Sequence, residues 1–61
     1  METIKQILMR RDGLDSHQAD IKITDAKDQL NEYLSAGDEA SAYNICQEYF
    51  GLEPDYLDEL L

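Results

Sequence analysis

The sequence predicts an all-α protein, a compact bundle of three to four short helices. Three observations carry that prediction. Apolar residues recur at helical spacing in successive segments. Each segment closes at a glycine with an acid just beyond it to start the next helix: Gly13 before Asp15, Gly37 before Asp38, Gly51 before Glu53. β-branched residues are few, and no stretch alternates between apolar and polar over strand length.

Thr3 and Gln6 stand at the spacing at which a threonine and a glutamine cap each other's backbone N–H groups. Ile4, Ile7 and Leu8 share one helical face, Gly13 suits the left-handed turn that ends a helix, and Leu14 can fold back as its apolar contact. Helix 1 is therefore read as about residues 3–11. Asp15 and Gln18 repeat the capping arrangement, with Leu14 and Ala19 spaced as a hydrophobic staple. Ala19, Ile23, Ala26, Leu30 and Tyr33 then make a narrow apolar stripe, widened by Leu34, along a helix that runs to about Ala36 and stops at Gly37.

Asp38 caps a third helix, whose dipole Glu39 also favours. Ala42, Ile45, Cys46, Tyr49 and Phe50 give the cleanest amphipathic pattern in the chain, ended by Gly51. Leu52-Glu53-Pro54-Asp55 is a fresh start signal, because proline in the first turn lacks only an N–H that would be unpaired there. Leu52 is spaced to staple onto Leu57, and Leu57, Leu60 and Leu61 form the apolar edge of a short last helix. The junctions Gly13-Leu14-Asp15 and Gly51-Leu52-Glu53 share one design of stop, staple and cap.

With 61 residues the chain is expected to form one domain, residues 1–61, with a thin core. Its 43% hydrophobic content is ordinary for a folded protein. A single cysteine, Cys46, excludes a disulfide within the chain. No signal-type or membrane-spanning apolar run is visible, so a cytoplasmic setting is expected.

Charge is the most informative property. Fourteen acids against five bases give a net charge of −9. Residues 1–27 hold five acids and five bases, whereas residues 28–61 hold nine acids and no base. Phosphate binding requires Lys and Arg, so direct nucleic-acid binding and attachment to an anionic membrane are both disfavoured. Arg10-Arg11 is the only basic pair and is expected to meet acids of the C-terminal half, within the fold or across a dimer.

No phosphate loop, catalytic triad, cofactor motif or metal-ligand pattern is present, and no enzymatic activity or cofactor is expected. His17 stands alone at the start of a helix, where a solvated side chain is the plain reading. Cys46 falls on an apolar face and reads as a small core residue. Capping and helix-dipole energetics account for Asp38, Glu39, Glu53 and Asp55, and leave Asp28, Glu32, Glu48, Asp58 and Glu59 unexplained. Tyr33, Tyr49 and Phe50 fall on core faces, whereas Tyr43, Tyr56 and Ile21 fall off them. Exposed aromatics beside carboxylates have the composition of a binding face.

The run Leu8-Met9-Arg10-Arg11-Asp12-Gly13-Leu14, the acidic helix that follows, Gly37-Asp38, and Phe50-Gly51-Leu52-Glu53-Pro54-Asp55-Tyr56-Leu57 resemble small acidic proteins encoded by bacteriophages and prophages. The resemblance spans nearly the whole chain and implies a setting in which a short protein binds and redirects or blocks a bacterial protein. The middle segment also resembles ubiquitin-associated three-helix domains, but the characteristic first loop of that fold is missing.

The expected function is thus a small acidic interaction module that binds a basic protein surface. Its sharper form is a nucleic-acid mimic that inhibits a nucleic-acid-binding enzyme, of anti-restriction or anti-CRISPR type. The expected partner-binding residues are Asp28, Glu32, Asp38, Glu39, Tyr43, Glu48, Asp55, Tyr56, Asp58 and Glu59. The alternative is a structural or assembly protein, a small helical homodimer joined by the apolar edge of its last two helices.

Overall fold

A computed structural model describes residues 2–61. The protein is all-α, with no strand among the described residues. It comprises α1 (Ile4–Arg11), α2 (Ser16–Ser35), α3 (Glu39–Tyr43), α4 (Ile45–Phe50) and a C-terminal 3₁₀ helix (Pro54–Glu59). That is five elements, where the sequence predicted three to four.

The predicted caps form. The Thr3 side chain accepts from the Gln6 N–H at 3.1 Å, and the Thr3 N–H donates to Gln6 Oε1 at 2.8 Å. Asp15 and Gln18 make the same reciprocal pair at 2.7 and 3.1 Å. Each pair satisfies two amide donors that the first turn of a helix leaves open. Asp38 caps α3 through Ser41 N–H at 3.2 Å. The shared design of the two Gly-Leu junctions is also real. Gly13 and Gly51 adopt φ of +69° and +66°, and the following Leu14 and Leu52 donate N–H bonds back to the Leu8 and Cys46 carbonyls at 3.4 and 3.1 Å. The junctions differ at the next residue: Asp15 caps α2 with its side chain, whereas Glu53 makes no capping bond.

Two predicted elements are corrected. The single helix expected between Asp38 and Gly51 is interrupted at Asn44. The Asn44 N–H is shared between the Ala40 and Ser41 carbonyls at 3.3 and 3.2 Å, and its side-chain amide donates to the Ala40 carbonyl at 3.0 Å. A short amide side chain that competes for carbonyls of the preceding turn weakens the regular ladder there. The apolar periodicity passes through the break, so Ala42, Ile45, Cys46 and Phe50 are all buried.

The last helix is 3₁₀ and not α. Its three-residue turn stacks Pro54, Leu57 and Leu60 along one edge. Pro54 and Leu57 are accordingly half-buried and Leu60 is buried, while Leu61, expected on the same edge, is 74% exposed.

The core joins both halves of the chain. Ile4 and Leu8 of α1, Ala19, Ala26 and Leu30 of α2, Ala42 of α3, Ile45, Cys46 and Phe50 of α4, and Leu60 form one buried cluster. Ile23, Tyr33 and Tyr49 pack against it from its edges, as the helical stripes predict. Leu34 does not widen the α2 stripe; it is 47% exposed. Two long-range bonds tie the ends together. Glu59 Oε1 accepts from the Ile4 N–H at 2.9 Å, and Arg11 Nη2 donates to the Phe50 carbonyl at 2.6 Å. No helix among the described residues is long and apolar enough to cross a membrane.

Candidate interaction surface

The charge asymmetry survives folding. Among the described residues the ion pairs are Lys5–Asp20 at 3.0 Å, Arg10–Glu2 at 2.7 Å and Arg11–Asp12 at 2.8 Å. All three lie within residues 2–27, so none reaches an acid of residues 28–61. This corrects the expected pairing of Arg10 and Arg11 with C-terminal acids. Arg11 does reach the second half, but at a backbone carbonyl. The hydrogen bond from Arg10 holds the Glu2 carboxyl below the usual range, and the bond from Arg11 does the same for Asp12.

Nine of the ten residues expected at a binding face fall into three groups, and Tyr56 stands apart. Asp28 and Glu32 stand one turn apart on α2, and Glu39 lies in the first turn of α3; all are exposed. Asp38, Glu48 and Glu59 are exposed too but also serve the fold. Asp38 caps α3, and Glu48 Oε2 accepts from the Tyr33 hydroxyl at 3.3 Å. Burial, then the nearby Glu48 charge and hydrogen bond, push the Tyr33 phenol above its ordinary pKa. Glu59, left unexplained by local capping rules, caps α1 across the fold through Ile4. Tyr56 is corrected: it is half-buried and packs against the core.

Tyr43, Asp55 and Asp58 are brought together. With Pro54 and Leu57 they line an open hollow of about 420 Å³ between the end of α3 and the 3₁₀ helix. Tyr43 is 58% exposed. No hydrogen bond or ion pair to Asp55 or Asp58 side chains occurs among the described residues. A smaller hollow of about 240 Å³, lined by Gln47, Gly51, Leu52, Glu53 and Pro54, adjoins it across the proline. Pro54 and Leu57 were read from sequence as a helix start and a core edge. Their part in the hollow depends on the 3₁₀ register and has no local sequence signal.

Cys46 is buried, and burial, followed by the negative charge of Glu59, raises its thiol pKa, which favours the unreactive thiol over the thiolate. Among the described residues no group of three or more His, Cys, Asp or Glu side chains is placed to hold a metal ion. No family model matches the chain, no curated protein matches it, and no solved structure matches its fold.

Proposed function

We propose that this protein is an acidic interaction module whose C-terminal half binds a basic surface of another protein. The carrying observation is that the bases of the chain pair only within residues 2–27, which leaves nine carboxylates of residues 28–61 without a basic partner among the described residues. Six of them, Asp28, Glu32, Glu39, Glu53, Asp55 and Asp58, are exposed and accept no side-chain hydrogen bond among the described residues.

Nucleic-acid mimicry is the narrower form of this reading, and its charge density can be compared. B-DNA carries one charge per about 1.7 Å counting both strands, so the 33 Å length of this molecule corresponds to about 19 phosphates, or about ten on one strand. Nine carboxylates match roughly one strand. The reading supported is thus an inhibitor or modulator that occupies a single-strand path or a basic protein-binding face, and a full duplex imitation is not favoured. A bacteriophage or prophage source belongs to the same proposal. The homodimer alternative has less to rest on, because Leu60 belongs to the core of one chain.

The test is capture from bacterial lysate at low salt, release by a salt step, and titration of the purified partner against a charge-reversed variant, Glu39→Lys with Asp58→Lys. Release by salt with weakened variant binding supports the module. A partner that resists salt and is indifferent to both reversals sinks it. Glu59 is unsuitable for reversal, since it caps α1.

A further inference from the structure

The hollow lined by Tyr43, Asp55 and Asp58 has the make-up of a receptor for one particular side chain, and the geometry points to an arginine of the basic partner as its occupant. This deepens the proposed function and rests on it.

Pro54 and Leu57, both half-buried, supply the apolar part of the hollow's lining. Tyr43, Asp55 and Asp58 line the same hollow and are all exposed. Asp55 and Asp58 are three residues apart on a 3₁₀ helix, so they stand on one edge, one turn or about 6 Å apart. That arrangement offers two acceptor groups in a hollow that an exposed aromatic ring also lines.

A guanidinium matches each part. It is planar and weakly hydrated, stacks on a tyrosine ring, and donates in a fork to carboxylates, while its methylene stem lies on an apolar lining. A lysine ammonium supplies the charge but is compact and strongly hydrated, and lacks the stacking plane. An anionic occupant is repelled by the two aspartates, and no base in residues 28–61 competes for them. Tyr43 itself is absent from the core cluster and from the residues packed against it, and more than half of its surface is open to a guest.

The test uses the full ¹⁵N-labelled chain at low salt with two probes, nona-arginine and nona-lysine. The expected result is that nona-arginine shifts amide signals of residues 43 and 54–58 most and binds more tightly than nona-lysine. Tyr43→Ala should weaken nona-arginine binding about tenfold and nona-lysine binding less than twofold. Asp55→Asn with Asp58→Asn should weaken arginine binding more than Asp28→Asn with Glu32→Gln, which removes the same charge elsewhere. Tyr43→Phe should retain most of the affinity. If both double variants weaken binding equally and Tyr43→Ala changes nothing, the hollow is overturned and the general acidic module stands. If neither peptide binds the unaltered chain, both readings fall. Signals of residues 43 and 54–58 that move on dilution without peptide would make a second copy the occupant and would also overturn the inference.

Discussion

In residues 2–27 the bases that pair do so with acids of their own half: Lys5 with Asp20, Arg10 with Glu2, Arg11 with Asp12. In residues 28–61 nine carboxylates have no base to meet, and the fold puts them to use, where it does, only as caps and hydrogen-bond acceptors. Both halves nevertheless feed one apolar core, in which Ile4, Leu8, Ala19 and Ala26 share a buried cluster with Leu30, Ile45 and Phe50. The lesson is that cohesion and charge are separable here. Burial holds the halves together, while exposed ion pairs contribute little to stability. Of the nine acids in the second half, Asp38, Glu48 and Glu59 serve the fold through hydrogen bonds, and the other six carry charge that no ion pair or side-chain hydrogen bond among the described residues uses.

Breaking the shared core should have the largest effect. Phe50→Ala removes a fully buried ring and is expected to cost about 3–5 kcal/mol, enough to unfold most of a chain this small. Thermal melts followed by far-ultraviolet circular dichroism should show both halves lost together. Persistent native amide signals from α1 and α2 alone would show that the halves fold separately.

Next is the bond that ties the last helix to the first. Glu59→Ala should cost about 1 kcal/mol and lower Tm by about 4–8 °C, because the Ile4 N–H loses its acceptor. Glu59→Gln keeps an acceptor oxygen and should retain most of that stability. Equal losses in both variants would assign the effect to charge and not to the hydrogen bond.

A smaller effect separates the halves by electrostatics. Raising NaCl from 0.02 to about 0.5 M shortens the screening length to a few ångströms. Repulsion among the unpaired acids then falls, while the three exposed ion pairs of the first half have little to lose, so Tm should rise by a few degrees. A fall in Tm would show that those pairs outweigh the repulsion.

The smallest effect is confined to the first half. Glu2 and Asp12 have carboxyl pKa values lowered by their arginine hydrogen bonds. Their contribution to stability is therefore fully present above the unfolded-state values of about 4, and is lost as pH falls through the lowered folded-state values. Arg10→Gln should make stability less sensitive to acid over that window, read as a flatter dependence of Tm on pH below 5. An unchanged profile would remove Glu2 from the account.

Much of the fold was legible because its signals are local. A capping box needs only residues three apart, as at Thr3 and Gln6 or Asp15 and Gln18. A helix stop needs only a glycine free to take a positive φ, as at Gly13 and Gly51. The Asn44 break was missed because the apolar periodicity continues through it unaltered. The last helix was misread because Leu57, Leu60 and Leu61 fit an α spacing, whereas the 3₁₀ turn retains only Leu57 and Leu60 on the inner edge. Of the candidate surface, the acids and Tyr43 were visible in composition and pattern, but their grouping was not.

The sequence by itself determined the all-α class, the helix starts and stops, most of the buried face and the confinement of net charge to residues 28–61. These depend on neighbours along the chain and on composition. Only the tertiary structure decided that Glu59 closes on Ile4, that Arg11 reaches the Phe50 carbonyl, and that Tyr43 lines one hollow with Asp55 and Asp58. Those pairings span up to 55 positions and depend on where whole helices come to rest, a choice made by burial of the common core and invisible to any local spacing.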